Sequence, residues 1–90
     1  VLQNYVDGEW TQPNATEFLE VLNPATVEVL GKVPLSSGEA VNQAVEAAQQ
    51  AFVTWRRVPA GDRIQYLFKL KLLLEEHLDD LATTITMECG

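Results

Sequence analysis

The chain has 90 residues, 47% of them apolar, with thirteen acids against six bases for a net charge of −7. That length allows one domain at most, the apolar share excludes a disordered chain, and the acidic balance argues against nucleic acid as a partner. A single cysteine excludes an internal disulfide, and one cysteine with one histidine exclude a zinc site built from those residues alone.

Tyr5-Val6-Asp7-Gly8-Glu9-Trp10 reads as a tight hairpin, because Asp-Gly suits a type I′ turn in which both central residues take positive φ. Gln12 to Thr16 is a loop by composition, and its Asn14-Ala15-Thr16 sequon reads as chance. Phe18 to Leu22 reads as a strand, Asn23-Pro24-Ala25-Thr26 as a turn, and Val27 to Val33 as the next strand. Alternation would put Val27, Val29 and Val33 on one face of it and Glu28 and Lys32 on the other. Pro34 is expected to end the ladder because it has no backbone N–H. The first third therefore reads as two consecutive antiparallel hairpins.

Ser36 with Glu39 forms the pattern of a capping box, and Val41, Ala44, Val45, Ala48, Phe52 and Trp55 follow at helical spacing. The small residues Ala44, Ala47, Ala48 and Ala51 would let a neighbour approach closely. This helix is expected to end near Arg56-Arg57. Pro59 fits the first turn of a second helix, which continues through Ile64, Leu67, Phe68, Leu70 and Leu74. Leu72-Leu73-Leu74 widens its apolar stripe, as in a helix covered on more than one side. A break near Glu76-His77 and a third helix through Leu78, Leu81, Ala82 and Ile85 complete the chain, with Gly90 as its stop. Residues 1–34 thus divide from 36–90 as hairpins from helices.

Charge is unevenly placed. Residues 1–53 hold seven acids and Lys32 alone, residues 54–71 hold five bases against Asp62, and residues 72–90 hold five acids and no Lys or Arg. The basic middle reads as a solvated helix face with its loop, or as a surface for an anion or acidic partner. No catalytic constellation emerges from the residues alone. Cys89 and His77 could form a nucleophile and base in principle, but twelve residues along one helix separate them by about 18 Å. Cys89 then reads as a small residue at a helix end. No apolar run reaches the ~18–20 residues of a membrane span, and Val1-Leu2-Gln3-Asn4 does not open like a signal peptide. These features, with an unpaired cysteine, lead to an expectation of a cytoplasmic protein. The absent initiator Met raises the expectation that the chain is processed, trimmed or part of something longer.

Six segments in this order are more specific than any one alone: Asn4 to Trp10, Val21 to Thr26, Val29 to Pro34, Ala44 to Trp55, Asp62-Arg63, and Ile85 to Gly90. Together they resemble the N-terminal part of the NAD(P)-dependent aldehyde dehydrogenase superfamily. Leu67 to Leu78, with Val33 to Ser36 upstream, is most similar to the methylmalonate-semialdehyde dehydrogenase branch. The resemblance implies an α/β fold in which two N-terminal antiparallel β-hairpins precede three amphipathic α-helices. It implies a subunit of several hundred residues with a Rossmann-like cofactor domain, a catalytic domain and an oligomerisation hairpin. In that family a cysteine thiolate attacks the aldehyde, NAD accepts hydride, and the thioester passes to water or, in the methylmalonate branch, to coenzyme A. The catalytic cysteine, the general-base glutamate and the cofactor loop would all lie downstream, and Cys89 does not match the catalytic motif.

The resemblance also carries over one site, a monovalent cation held by the backbone carbonyls of Val21 and Leu22 and the side chain of Glu88. Carbonyl and carboxylate oxygens suit a hard cation. The family more often has Asp where Glu88 stands, and the alternative is that Glu88 meets only a neighbour or water. Val27 stands where the family usually has Gly, and a β-branched residue resists positive φ, so a different turn is expected there. Three functional readings follow: a catalytically silent scaffold whose partner is the remainder of a dehydrogenase subunit, in a homo-oligomer; a free-standing small domain that self-associates through its wide apolar stripe; and a compact enzyme using Cys89. The last lacks a cofactor loop and a base near the thiol.

Overall fold

Four strands come first in the chain and three helices follow, in a computed structural model that describes residues 1–90. Strands β1 (Asn4–Val6) and β2 (Glu9–Thr11) pair antiparallel, with Tyr5 opposite Trp10. Asp7 and Gly8 between them have φ of 52° and 77°, the two positive values that a type I′ turn requires. The Tyr5 and Trp10 rings meet at a centroid distance of 5.0 Å, the cross-strand pairing that stabilises such a ribbon.

Strands β3 (Phe18–Leu22) and β4 (Val29–Pro34) form a second antiparallel sheet. Here the structure corrects three expectations. First, β4 begins at Val29 rather than Val27, because the Asn23 side chain extends the turn. Its Oδ1 accepts from the backbone N–H groups of Ala25 (2.9 Å) and Thr26 (3.3 Å), and Thr26 Oγ1 accepts from the N–H of Glu28. Val27 closes the loop by donating to the Asn23 carbonyl at 2.7 Å, and it adopts φ 61° to do so. The β-branched Val27 therefore takes positive φ in this turn. It is forced into the left-handed region at a cost of about 1–2 kcal/mol.

Second, Val21 pairs with Gly31 while Leu22 pairs with Val29, so Leu30 is an extra residue on β4. This bulge breaks the alternation. Val33 lies opposite Leu19 and Val29 opposite Leu22, and those partners are three apart on β3, so Val29 and Val33 face opposite sides. By the same shift, Glu28 and Lys32 no longer share a face. Third, β4 includes Pro34 rather than ending at Val33, and Pro34 is its last residue, as expected. It sits opposite Phe18, and Leu35 beyond it still donates to the Glu17 carbonyl at 2.9 Å. Because residues 17 and 35 share a ladder bond, Pro34 falls at a position between bonded pairs, where its missing N–H is not needed. Pro34 is also the chain's one buried residue.

The remaining elements are helices α1 (Gly38–Trp55), α2 (Ala60–Glu76) and α3 (Leu78–Cys89). The N-cap of α1 is Ser37, whose hydroxyl accepts from the N–H of Ala40 at 3.1 Å. The expected Ser36–Glu39 box does not form, since Ser36 Oγ instead accepts from Asn4 Nδ2 at 3.1 Å and so ties β1 to the start of α1. Pro59 lies one residue ahead of the first turn of α2, with extended ψ of 146°, and its carbonyl accepts from Asp62 and Arg63. His77 (φ −104°, ψ 18°) divides α2 from α3: it donates to Leu73 and accepts from Leu81. Gly90, at φ 89°, caps α3 by donating to Thr86 at 3.0 Å, and a Cβ there would stand 3.6 Å from Pro24 Cγ.

These elements do not enclose a core. No large apolar side chain is fully buried; Trp10 is 68% exposed, Phe68 60% and Leu67 57%. The radius of gyration is 16.9 Å, against about 12 Å for a globular chain of this length. The chain forms a slab of 48 × 35 × 16 Å. Its exposed surface is 7662 Å², about 2,400 Å² more than a globular monomer of this mass presents.

Candidate functional site

The joint between the second hairpin and the end of α3 contains the positions singled out for a cation. Val21 and Leu22 are adjacent on β3 at the point where the bulge interrupts the ladder. The Asn23-Pro24 turn follows directly, and Gly90 packs beside Pro24. Glu88 lies in the last turn of α3, two residues before Gly90, and is exposed. The chain's two ion pairs are Lys71–Glu75 at 3.8 Å and His77–Asp80 at 3.7 Å, and Glu88 belongs to neither. The donor chemistry fits a hard monovalent cation: two neutral carbonyls, one carboxylate and the negative end of a helix dipole. No three His, Cys, Asp or Glu side chains converge anywhere in the chain, so backbone oxygens would carry any such site.

Cys89 and His77 stand at opposite ends of α3, the cysteine as its last residue and the histidine as its N-cap. The cysteine is exposed and unpaired. A continuous helix between them rules out a thiol–imidazole pair within one chain.

The five cations of the basic middle divide in two. Lys71 makes the exposed i,i+4 pair with Glu75, an interaction of small energetic consequence. The others surround the corner where α1 passes into α2. Arg56 lies 6.0 Å from the Phe52 ring centroid and Lys69 lies 5.7 Å from that of Tyr66, both within cation–π range. Tyr66 and Trp55 meet edge to face at 5.4 Å and join the two helices. Arg63 is half-buried, and its Nε is sealed from solvent without a hydrogen-bond acceptor. By sequence Arg63 is one of five bases that read either as a solvated face or as a surface for an anion or acidic partner. The available signal was its spacing three residues before Tyr66, which puts both on one helix face.

Two surface clefts border the first hairpin. One, of about 330 Å³, is lined by polar groups that include Asn4, Gln12, Ser37 and Gln43. The other, of about 380 Å³, lies between the Asp7-Gly8 turn and the small residues Ala44, Ala47, Ala48 and Ala51 of α1. The alanine stripe thus leaves room for a neighbour, as its spacing implied. No helix is long and apolar enough to cross a membrane.

Comparison with known proteins sets this geometry in a wider frame. The model of the aldehyde dehydrogenase family matches residues 10–90. Malonate-semialdehyde dehydrogenase 1 of Geobacillus kaustophilus (strain HTA426) is 48% identical over 90 residues, which is all of this chain and 18% of that protein. Malonate-semialdehyde dehydrogenase 2 of Oceanobacillus iheyensis is 45% identical over 89 residues, 99% of this chain and again 18% of its own length. Among solved structures, an aldehyde dehydrogenase from Bartonella henselae superposes with a TM-score of 0.91 at 30% identity, over 96% of this chain and 18% of that one. A succinate-semialdehyde dehydrogenase from Burkholderia pseudomallei gives 0.88 at 37%, over 97% and 18%. The matched region is the N-terminal part of these proteins. The chain therefore spans under a fifth of the length of the relatives it matches.

Proposed function

Because this chain belongs to the aldehyde dehydrogenase family, we propose that it is the N-terminal scaffold of an NAD-dependent dehydrogenase for malonate or methylmalonate semialdehyde. The observation that carries this reading is the 48% identity to a malonate-semialdehyde dehydrogenase, sustained over every residue of the chain. The two substrates differ by one methyl group. In this reading a longer subunit supplies the catalytic cysteine and general base, NAD supplies the hydride acceptor, and water or coenzyme A receives the acyl group. The subunit is a cytoplasmic homo-oligomer.

This chain contributes faces rather than reacting groups. The alanine stripe of α1 and the leucine-rich sides of α2 and α3 receive the rest of the subunit. The carbonyls of Val21 and Leu22, with the carboxylate of Glu88, hold a monovalent cation that fastens the end of α3 to the β3–β4 turn.

NADH formation by the full-length protein, with each semialdehyde and with or without coenzyme A, tests the reading. Turnover is expected with one or both substrates, and a Cys89→Ser variant should match the parent. Loss of turnover in that variant, or none in the parent, would sink it. For the cation, potassium or sodium should raise the unfolding temperature of the full-length protein, and Glu88→Gln should weaken that response.

A further inference from the structure

We infer that Arg63 is a docking anchor, its guanidinium pairing with a carboxylate on the part of the subunit beyond residue 90 that packs over the α1–α2 corner. The inference rests on the reading of this chain as one portion of a longer subunit. It begins from a single atom. Arg63 Nε has lost its access to water and meets no acceptor within the chain. A guanidinium cannot shed its proton to escape that position. An N–H sealed from water with no acceptor costs the full desolvation penalty of that group. Buried donors in folded proteins are almost always paired, so an acceptor arrives from outside residues 1–90.

The neighbourhood selects the acceptor's charge. Arg56, Arg57 and Lys69 stand around the same corner, and none of them makes an ion pair in the chain. Arg56 and Lys69 rest instead on the rings of Phe52 and Tyr66. A neutral carbonyl would satisfy one N–H and leave this concentration of positive charge uncompensated. A carboxylate does both, and arginine's planar fork suits it in a two-point bond.

The surface identifies the occupant as more of the same subunit. The relatives are more than five times as long as this chain. The chain exposes about 2,400 Å² beyond that of a globular monomer, an area in the range of permanent rather than transient interfaces. An interface of that kind is able to close over Arg63.

Zero-length carbodiimide coupling on the full-length Arg63→Lys variant tests the inference, because it joins an amine only to a carboxylate in direct contact. Mass spectrometry should find position 63 joined to an Asp or Glu beyond residue 90 of the same subunit. A link to a carboxylate within residues 1–90, a link between subunits, or no link in the folded variant would overturn it. Stability of the full-length protein gives a second readout. Arg63→Met should shift the folding equilibrium of the full-length protein toward the unfolded state by about tenfold or more, whereas the exposed control Lys71→Met should change it by no more than about twofold. Equal effects would also overturn the inference. Failure of the coupling in a protein that still oxidises semialdehyde removes the anchor and leaves the proposed function standing. A correct link in a protein without that activity does the reverse.

Discussion

Residues 4–34 and residues 38–89 satisfy their backbones by different routes and leave their side chains in different conditions. The strand half closes on itself over short distances. Asp7-Gly8 and the Asn23 side chain set two turns, and each strand finds its partner within a few residues. The helical half pairs its backbone internally, but α1 meets α2 through little more than Trp55 and Tyr66. Its leucines on α2 and α3 keep 42–63% of their surface exposed. Local rules are thus enough to shape the hairpins, while the helices have a fixed path and an undetermined environment.

Substitutions can break or sharpen that contrast. The largest effect is expected in the helical half. If the leucine-rich faces are covered in the full-length subunit, Phe68→Ala should destabilise it by about 3–5 kcal/mol. A change within about 0.5 kcal/mol in denaturant unfolding would mean that the face stays open. Next come the local devices. Ser37→Ala should cost about 1 kcal/mol through loss of the α1 cap. Ser36→Ala, which removes only the link to Asn4, should cost less, and the reverse order would restore the capping box that the structure lacks. Asn23→Ala should cost about 1 kcal/mol by freeing the N–H groups of Ala25 and Thr26. The smallest effect has the opposite sign. Val27→Gly relieves the left-handed strain but loosens the unfolded chain, for a net stabilisation of about 0.5 kcal/mol. A loss of stability there would show that the Val27 side chain is packed by the rest of the protein.

Much of this architecture was legible from residue types. The Asp7-Gly8 turn, the extent of β3, the break at His77 and the stop at Gly90 each depend on one or two neighbouring residues, and all appear where the sequence places them. The misreadings came from competition between alternatives of similar local merit. Ser36 and Ser37 are both able to cap α1, and the amide of Asn4, thirty-two residues away, engages the first and leaves the second to cap. Leu30 carries no mark of a bulge, because a leucine suits either side of a strand whose two faces are both partly apolar. Val27 breaks the rule that β-branched residues avoid positive φ, because the hydrogen bonds around Asn23 override it. At the cation joint the sequence showed which residues resemble a family's ligands. The isolation of Arg63 Nε depends on three-dimensional sealing that no spacing rule expresses.

The naked leucine faces of α2 and α3 also have a consequence in time. In a subunit of the relatives' length about 400 residues follow this chain, and ribosomes add about 5–20 residues per second. The leucines would then leave the ribosome some 20–80 s before their covering is complete. For that interval the nascent chain carries hairpins that are already closed beside helices that invite chaperones or other nascent chains. The rate of synthesis downstream then influences how much of the protein survives to assemble.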